Sequence, residues 1–339
     1  MKKNMFLVFV MIILIGFVAN TASGKEGKVF KWRIQDIGGE ADGSQWILLK
    51  NLKKLIEEAS EGQVQVEYFP AGTLCEPDSI LDAVAKGAIE GGNIIAGMAA
   101  HRVPSSLGSE MPFGVRDRYQ LHELHSVWGL DDIIREEYAK NNIYLLSTTY
   151  AGTIAFQSSF PVNTLNDFKG KKVWCTPNSL WLTNFGAAST DVPGFDMYMA
   201  LKLGTIDGFV WTVLELEYFK FKEVVKYIME PSLLVPAMHF IVNMKDWNAL
   251  GPELQRKIQD HVDAHKFNVI TKEAVKYDAI ALEEAKKYGV KTITLSPSDV
   301  DKMKKEVKKY WDEVAGMSPH SAKMIEVYRS WMKYRGLDW

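Results

Sequence analysis

The sequence predicts an α/β protein of two similar lobes, with mixed, mostly parallel sheets and a cleft between them. Three observations carry this. Residues 80–92, ILDAVAKGAIEGG, and 197–209, MYMALKLGTIDGF, spell nearly the same pattern twice (Ala83 to Gly91; Ala200 to Gly208). Each reads as an apolar helix stopped at a Gly, which takes the left-handed cap conformation without a Cβ penalty, followed by an immediate return into a strand. Strand-like and helix-like patterns then alternate along the chain, which implies parallel sheets with crossover helices. With 339 residues the chain also exceeds the size at which one core usually divides.

The first 24 residues stand outside this pattern. Lys2 and Lys3 precede the apolar run Phe6 to Val18, and the small residues Ala22, Ser23 and Gly24 follow, as in a secretory signal cut after Ala22 or Gly24. As a helix the run spans roughly 20 Å against about 30 Å of bilayer core, and no Cys follows it to carry a lipid. The mature chain is expected to be exported and soluble.

Phe30, Trp32 and Ile34 alternate with Lys31, Arg33 and Gln35, giving a first strand. A helix follows from Ser44, with Trp46, Leu49, Leu52, Leu55 and Ile56 on its apolar face and Gly62 at its end. Val64, Val66 and Tyr68 mark the next strand, closed by the turn Pro70-Ala71-Gly72. The first repeat unit then runs on to Ile95. Strands are expected again at Ile143–Leu146, Lys171–Cys175, Ile206–Trp211 and His239–Val242. Thr176-Pro177 opens a helix that stops before Gly186, with Thr as N-cap and Pro at the first position. From Pro252 to Tyr288, Ser298 to Gly316 and Ser318 to Tyr334 the chain reads as helix. No Pro-rich linker separates the lobes, so they are expected to exchange strands. Lobe I takes 25–150 with 236–275 returning to it; lobe II takes 151–235, with 276–339 packing on it.

Net charge is −2, with 24% charged residues, which gives no reason to expect nucleic acid as a partner. The late lysines, Lys302 to Lys309, fit a solvated helix face. Export permits a disulfide between Cys75 and Cys175, but a bridge needs Cα atoms within about 7 Å, which spacing alone does not decide. Catalytic motifs are absent: no Gly-x-Ser-x-Gly, phosphate loop, His-Glu-x-x-His or Cys-x-x-Cys. His122 and His125 lack a third ligand and read as part of a surface helix. His239, in an apolar strand, reads as a hydrogen-bonded core residue.

In open α/β sheets, ligands bind beyond the carboxyl ends of the strands. Here those ends carry Trp174 and Cys175, Trp211 and Asp36, with Glu76 just after the Pro-Ala-Gly turn. The strand ending at Cys175 runs into a helix N-terminus at Thr176–Ser179, which includes Asn178 and presents backbone N–H groups. Both tryptophans could equally be core residues.

The order of PFG at residue 112, DFKGKKV at 167–173, ALKLGTIDG at 200–208 and HFIVNMKDW at 239–247 resembles the substrate-binding protein of a tripartite ATP-independent periplasmic (TRAP) transporter, the DctP-like family. The likeness spans nearly the whole mature chain and is nearest the α-keto-acid-binding branch, which also carries a Trp at the position of Trp211. The resemblance implies a two-lobed periplasmic binding protein with long C-terminal helices, closing on a small organic solute. It implies small and large membrane subunits as partners, ion-gradient-driven uptake, and no enzymatic activity. It also raises a homodimer formed by exchange of the C-terminal helix, 325–336. Two rivals are a sensor docking on a signalling receptor and an exported enzyme.

The family's carboxylate-clamping Arg is replaced here by Trp174 or Cys175, depending on the counting. The branch's metal-binding Glu is Val210, its second acid is Leu233, and its Gln near Gly152 is Ile154, beside Thr153. A lone acid without its ion would be a buried unpaired charge, so joint loss is physically coherent. The expectation is no metal, no cofactor, and a drier, more aromatic pocket with the solute stacked between Trp174 and Trp211. Its ligand-binding residues would be Trp174, Trp211, Cys175, Asn178, Asp36, Glu76 and Thr153. An acid group would be held by the 176–179 helix N-terminus; an amine would instead use Asp36 and Glu76 with the tryptophan faces.

Overall fold

The computed structural model describes residues 28–38, 43–150, 152–193, 196–268 and 272–337. The leader expected over 1–24, and the Ser44 and Trp46 side chains of the first helix, lie outside what is described.

Lobe I runs β1 (Phe30–Asp36), α1 (Gly43–Ala59), β2 (Val64–Phe69), α2 (Ile80–Lys86), β3 (Gly91–Ile95), α3 (Arg118–Ser126), α4 (Leu130–Ala139) and β4 (Ile143–Tyr150). Two 3-10 helices, Ala96–Ala99 and Pro104–Glu110, follow β3. The chain then crosses to lobe II: β5 (Ile154–Ser158), β6 (Lys172–Trp174), a 3-10 helix (Pro177–Phe185), β7 (Ala188–Ser189), α5 (Met197–Lys202), β8 (Gly208–Thr212), α6 (Glu215–Tyr218) and β9 (Tyr227–Glu230). It returns as β10 (Ala237–Asn243), α7 (Met244–Asn248) and α8 (Pro252–Lys266). The rest is α9 (Lys272–Lys287), β11 (Lys291–Thr294), α10 (Pro297–Met317) and α11 (Pro319–Tyr334).

The two sheets share one topology. Lobe I orders its strands β2-β1-β3-β10-β4, and lobe II orders them β7-β6-β8-β5-β9 with β11 added at the edge. In each, the first three are mutually parallel and the fourth, which arrives from the other lobe, is antiparallel to both neighbours. The carboxyl ends of the parallel strands face the inter-lobe crossing, so a strand entering from there must run the opposite way. Strand exchange was expected from the sequence; the antiparallel direction of β5 and β10 was not.

The doubled sequence unit maps onto this symmetry. α2 stops at Gly87 and α5 is followed by Gly204, both at φ +72°. The closing glycines, Gly91 and Gly208, begin β3 and β8, where each strand meets the one arriving from the other lobe. A Cβ would sit 2.6 Å from the Ile241 carbonyl oxygen at Gly91, and 2.8 Å from that of Gln157 at Gly208. Glycine is required there by close backbone approach.

Of the C-terminal helices, α11 departs from the expected division. α11 packs on lobe I, against α3, α4 and the 104–110 helix, not on lobe II. Its apolar face, Met324, Ile325, Tyr328 and Trp331, is buried in the core shared with Leu107 and Met111. Trp128 and Tyr334 have ring centroids 5.7 Å apart, and Arg335 donates to Glu123 at 2.5 Å. α10 bridges the lobes: Trp311 Nε1 donates to the Pro112 carbonyl at 3.1 Å, and the Tyr310 hydroxyl donates to Asn178 in lobe II. With α11 covered by its own chain, exchange between subunits is not needed to bury its apolar face.

Candidate functional site

Trp174 and Trp211 come from neighbouring parallel strands of lobe II. Trp174 pairs with Phe209, so Trp211, two residues on, is its diagonal neighbour on the same face. The rings stack on each other, with centroids 4.9 Å apart and planes 25° from parallel. Both are half-buried. Rings this close leave no room for a solute between them, so the expected sandwich is replaced by a two-ring wall.

The turn after Trp174 is more occupied than the sequence suggests. The 177–185 segment is a 3-10 helix, its Ser179 N–H is bonded to the Thr176 carbonyl at 2.9 Å, and the Thr176 and Ser179 hydroxyls bond each other at 2.9 Å. Thr176 is the N-cap but makes no side-chain cap bond. Asn178 is fully buried, donating to Glu110 Oε1 at 2.9 Å and accepting from Tyr310. Its amide therefore positions the turn, and little of the expected helix N-terminus is free to hold an anion.

Cys175 is half-buried beside this turn, and burial pushes its thiol up to about 12. Cys75 lies in lobe I, and both cysteines are free. Thiol titration in denaturant without reductant is expected to count two thiols, with Cys175 the slow one in the native protein. A count of zero would mean a disulfide joins them.

Asp36 ends β1 and is fully buried. Asn93 donates to its Oδ1 at 2.8 Å, while Oδ2 has no partner among the described residues. Burial dominates this bond and raises the carboxyl to about 6. Glu76 is exposed at the N-terminus of a 3-10 helix, Pro77–Ser79, and makes no cap bond. Thr153 starts the crossing into β5; its hydroxyl donates to Asp278 at 3.3 Å, and Asp278 also pairs with the buried Arg118 of α3.

Thr153 also lines a cavity of about 770 Å³ at the ends of β9 and β11, walled by both crossing segments and by α10 and α11. None of the other predicted residues lines it. The predicted set therefore divides: Trp174, Trp211 and Cys175 share one strand-end region, Asn178 supports it from behind, and Asp36 and Glu76 belong to lobe I.

Ile154, Val210 and Leu233, expected in place of the family's polar residues, all lie in one buried apolar cluster. His239 is a core residue as expected, bonded to Ser109 at 2.9 Å and Tyr138 at 2.8 Å. His125 is not on a surface face: it is buried, with bonds to Asp131 at 2.8 Å and the Ser109 carbonyl at 3.0 Å. Among the described residues no group of three or more His, Cys, Asp or Glu side chains could hold a metal ion, and no helix is long and apolar enough to cross a membrane. Sequence reasoning passed over Glu110. Its signal was an acid inside the small and apolar stretch Ser105 to Phe113.

Residues 40–317 match the family described as bacterial extracellular solute-binding protein, family 7 (DctP). The chain is 26% identical over 233 residues to the sialic acid-binding periplasmic protein SiaP of Vibrio cholerae, covering 66% of this chain and 72% of that protein. It is 23% identical over 323 residues to the monocarboxylate 2-oxoacid-binding periplasmic protein all3028 of Nostoc, covering 93% and 87%. Similar solved structures include two TRAP periplasmic solute-binding proteins. One, from Desulfovibrio salexigens with bound orotic acid, has a TM-score of 0.80 at 22% identity, covering 90% of this chain and 99% of that one. The other, from Chromohalobacter salexigens with bound (S)-(+)-2-amino-1-propanol, has a TM-score of 0.77 at 23% identity, covering 89% and 95%. Two pseudo-equivalent α/β lobes joined by exchanged strands, matched across most of their length, place this chain in the DctP family of TRAP-type extracellular solute-binding proteins.

Proposed function

We propose that this chain, exported to the periplasm with its leader removed, captures a small organic acid with a flat, apolar or aromatic body. It would deliver that solute to the small and large membrane subunits of a TRAP transporter for ion-gradient-driven uptake, without itself catalysing a reaction. The observation that carries the reading is the Trp174–Trp211 stack at the ends of adjacent strands. An aromatic wall favours an offset-stacked or edge-on flat partner. The apolar Ile154, Val210 and Leu233 are in keeping with recognition that needs no metal. An aromatic acid in one structural neighbour and 2-oxoacids in one relative fit the same class.

A second reading is favoured by Asp36. Its unpartnered, buried Oδ2 would be satisfied by an ammonium or N–H donor, and tryptophan faces attract cations. The amino alcohol bound by another structural neighbour is in keeping with this reading.

The test is mass spectrometry of what co-purifies with the protein, followed by a thermal-shift panel of aromatic acids, aliphatic keto acids, sulfonates and small amines. A solute at 100 times its dissociation constant adds about 2.7 kcal/mol of stability. Aromatic acids are expected to give the largest shift. A shift confined to short keto acids with a divalent metal would overturn the reading.

A further inference from the structure

Glu110 ends the 104–110 helix of lobe I and is only 3% exposed. Its Oε2 accepts the N–H of Ala237, the first residue of β10, at 2.6 Å, and the Gly97 backbone lies against the carboxylate, where a Cβ would sit 3.5 Å from Oε1. Its Oε1 accepts the Asn178 amide from lobe II at 2.9 Å. Asn178 accepts the Tyr310 hydroxyl from α10 and, through its carbonyl, Trp181 Nε1 at 2.9 Å. One carboxylate thus touches the segment after β3, the strand crossing back into lobe I, and the lobe II turn that begins at Trp174.

We propose that Glu110 is a positioning residue for solute capture, holding the Trp174–Asn178 turn against lobe I through Asn178 and so setting how the lobes meet at the aromatic pair. This rests on the reading of that pair as the solute wall. Pro177 and the Thr176–Ser179 hydroxyl bond stiffen the short link between Trp174 and Asn178, so a shift of Asn178 carries the ring with it. Separating the lobes at this point breaks the Glu110–Asn178 bond and admits water to the carboxylate.

No lysine or arginine among the described residues offsets the charge. The titratable side chains facing Glu110 are Tyr310 from α10 and Tyr328 from α11, with Glu313 acting on Tyr310 from the same helix. Burial raises the carboxyl to about 7, against the opposing bonds from Ala237 and Asn178. Protonation therefore favours the closed arrangement and ionisation favours admission of water.

Solute-free protein suffices for the test. Circular dichroism of the coupled Trp174–Trp211 transitions, with Trp211→Phe as the control that assigns them, is read alongside the small-angle scattering radius from pH 5.5 to 8.5. The wild type is expected to expand and lose part of the couplet as pH rises, with a midpoint near 7. Glu110→Gln is expected to lose this response, and Asn178→Ala to be expanded at every pH while still melting cooperatively. A radius and couplet unchanged with pH in the wild type, and unchanged by Asn178→Ala, would sink the proposal. Absence of any bound solute would sink the functional reading but leave this pH response in place.

Discussion

Lys266→Ala is expected to lower the unfolding free energy by about 3–5 kcal/mol, because it strands a buried carboxylate. Lys266, at the end of α8, is 3% exposed at its side chain and lies 3.0 Å from Asp131 Oδ2 and 3.0 Å from Asp263. Asp131 Oδ1 is bonded by His125 at 2.8 Å and by the Thr148 hydroxyl at 2.6 Å. Burial alone would raise the Asp131 carboxyl, but Lys266, His125 and Thr148 outweigh it and hold it well below the usual carboxylate range. Burial would likewise lower Lys266, and the two aspartates reverse that.

The sign follows from these directions. A depressed carboxylate contributes stability above its unfolded value, about 4, and loses it as pH falls through the folded value. A raised lysine contributes below its unfolded value, about 10, and loses it as pH rises further. The cluster is therefore at full strength across neutral pH, where urea denaturation should be measured. Lys266→Met with Asp131→Asn should recover part of the loss, since it removes both charges and keeps most of the volume. A single alanine variant within 1 kcal/mol of wild type, the value of an ordinary surface pair, would show that Asp131 finds another partner. The cluster ties the returning α8 to α3, α4 and β4, so its loss loosens lobe I on the side where the chain next crosses to lobe II.

The duplicated fold was legible because the repeat carries its own reasons: Gly87 and Gly204 end helices, and Gly91 and Gly208 sit where no Cβ fits. Strand direction was not legible. Every residue of β5 and of β10 is buried, so neither shows the alternation that marks a half-exposed strand, and alternation carries no polarity in any case. The placement of α11 was hidden for a related reason. An amphipathic period says that Tyr328 and Trp331 face a core, but not whose. At the site, strand ends identified Trp174 and Trp211 because topology alone puts them beside the crossing. Glu110 was not found because its partner Asn178 is 68 positions away, and a buried acid without a cation leaves no motif. Its place at a helix start marks Asn178 as a ligand contact in the sequence, but its side chain is spent on Glu110 and Tyr310.

Trp211→Ala is expected to weaken binding of the co-purifying solute about 30-fold or more. Loss of a central aromatic contact costs ~2 kcal/mol or more, and every 1.4 kcal/mol is about tenfold. The backbone of Trp211 pairs with Ala155, and its carbonyl accepts Gln157 Nε2 at 3.0 Å; neither bond needs the indole, so β8 should persist in the variant. Trp211→Phe keeps a flat face and should lose far less. Calorimetric affinity within a factor of two of wild type for the alanine variant would remove Trp211 from the site. Asp36→Asn, at a strand end of lobe I, then separates the two solute classes. For an organic acid it removes a negative charge from the other lobe, so affinity holds or rises, and the wild type should itself bind better as pH falls through about 6. An amine reverses both signs: Asp36→Asn weakens binding, and acidification through the same range weakens it in the wild type but not in the variant. The sign of the pH response that Asp36→Asn removes therefore decides what the aromatic wall was built to hold.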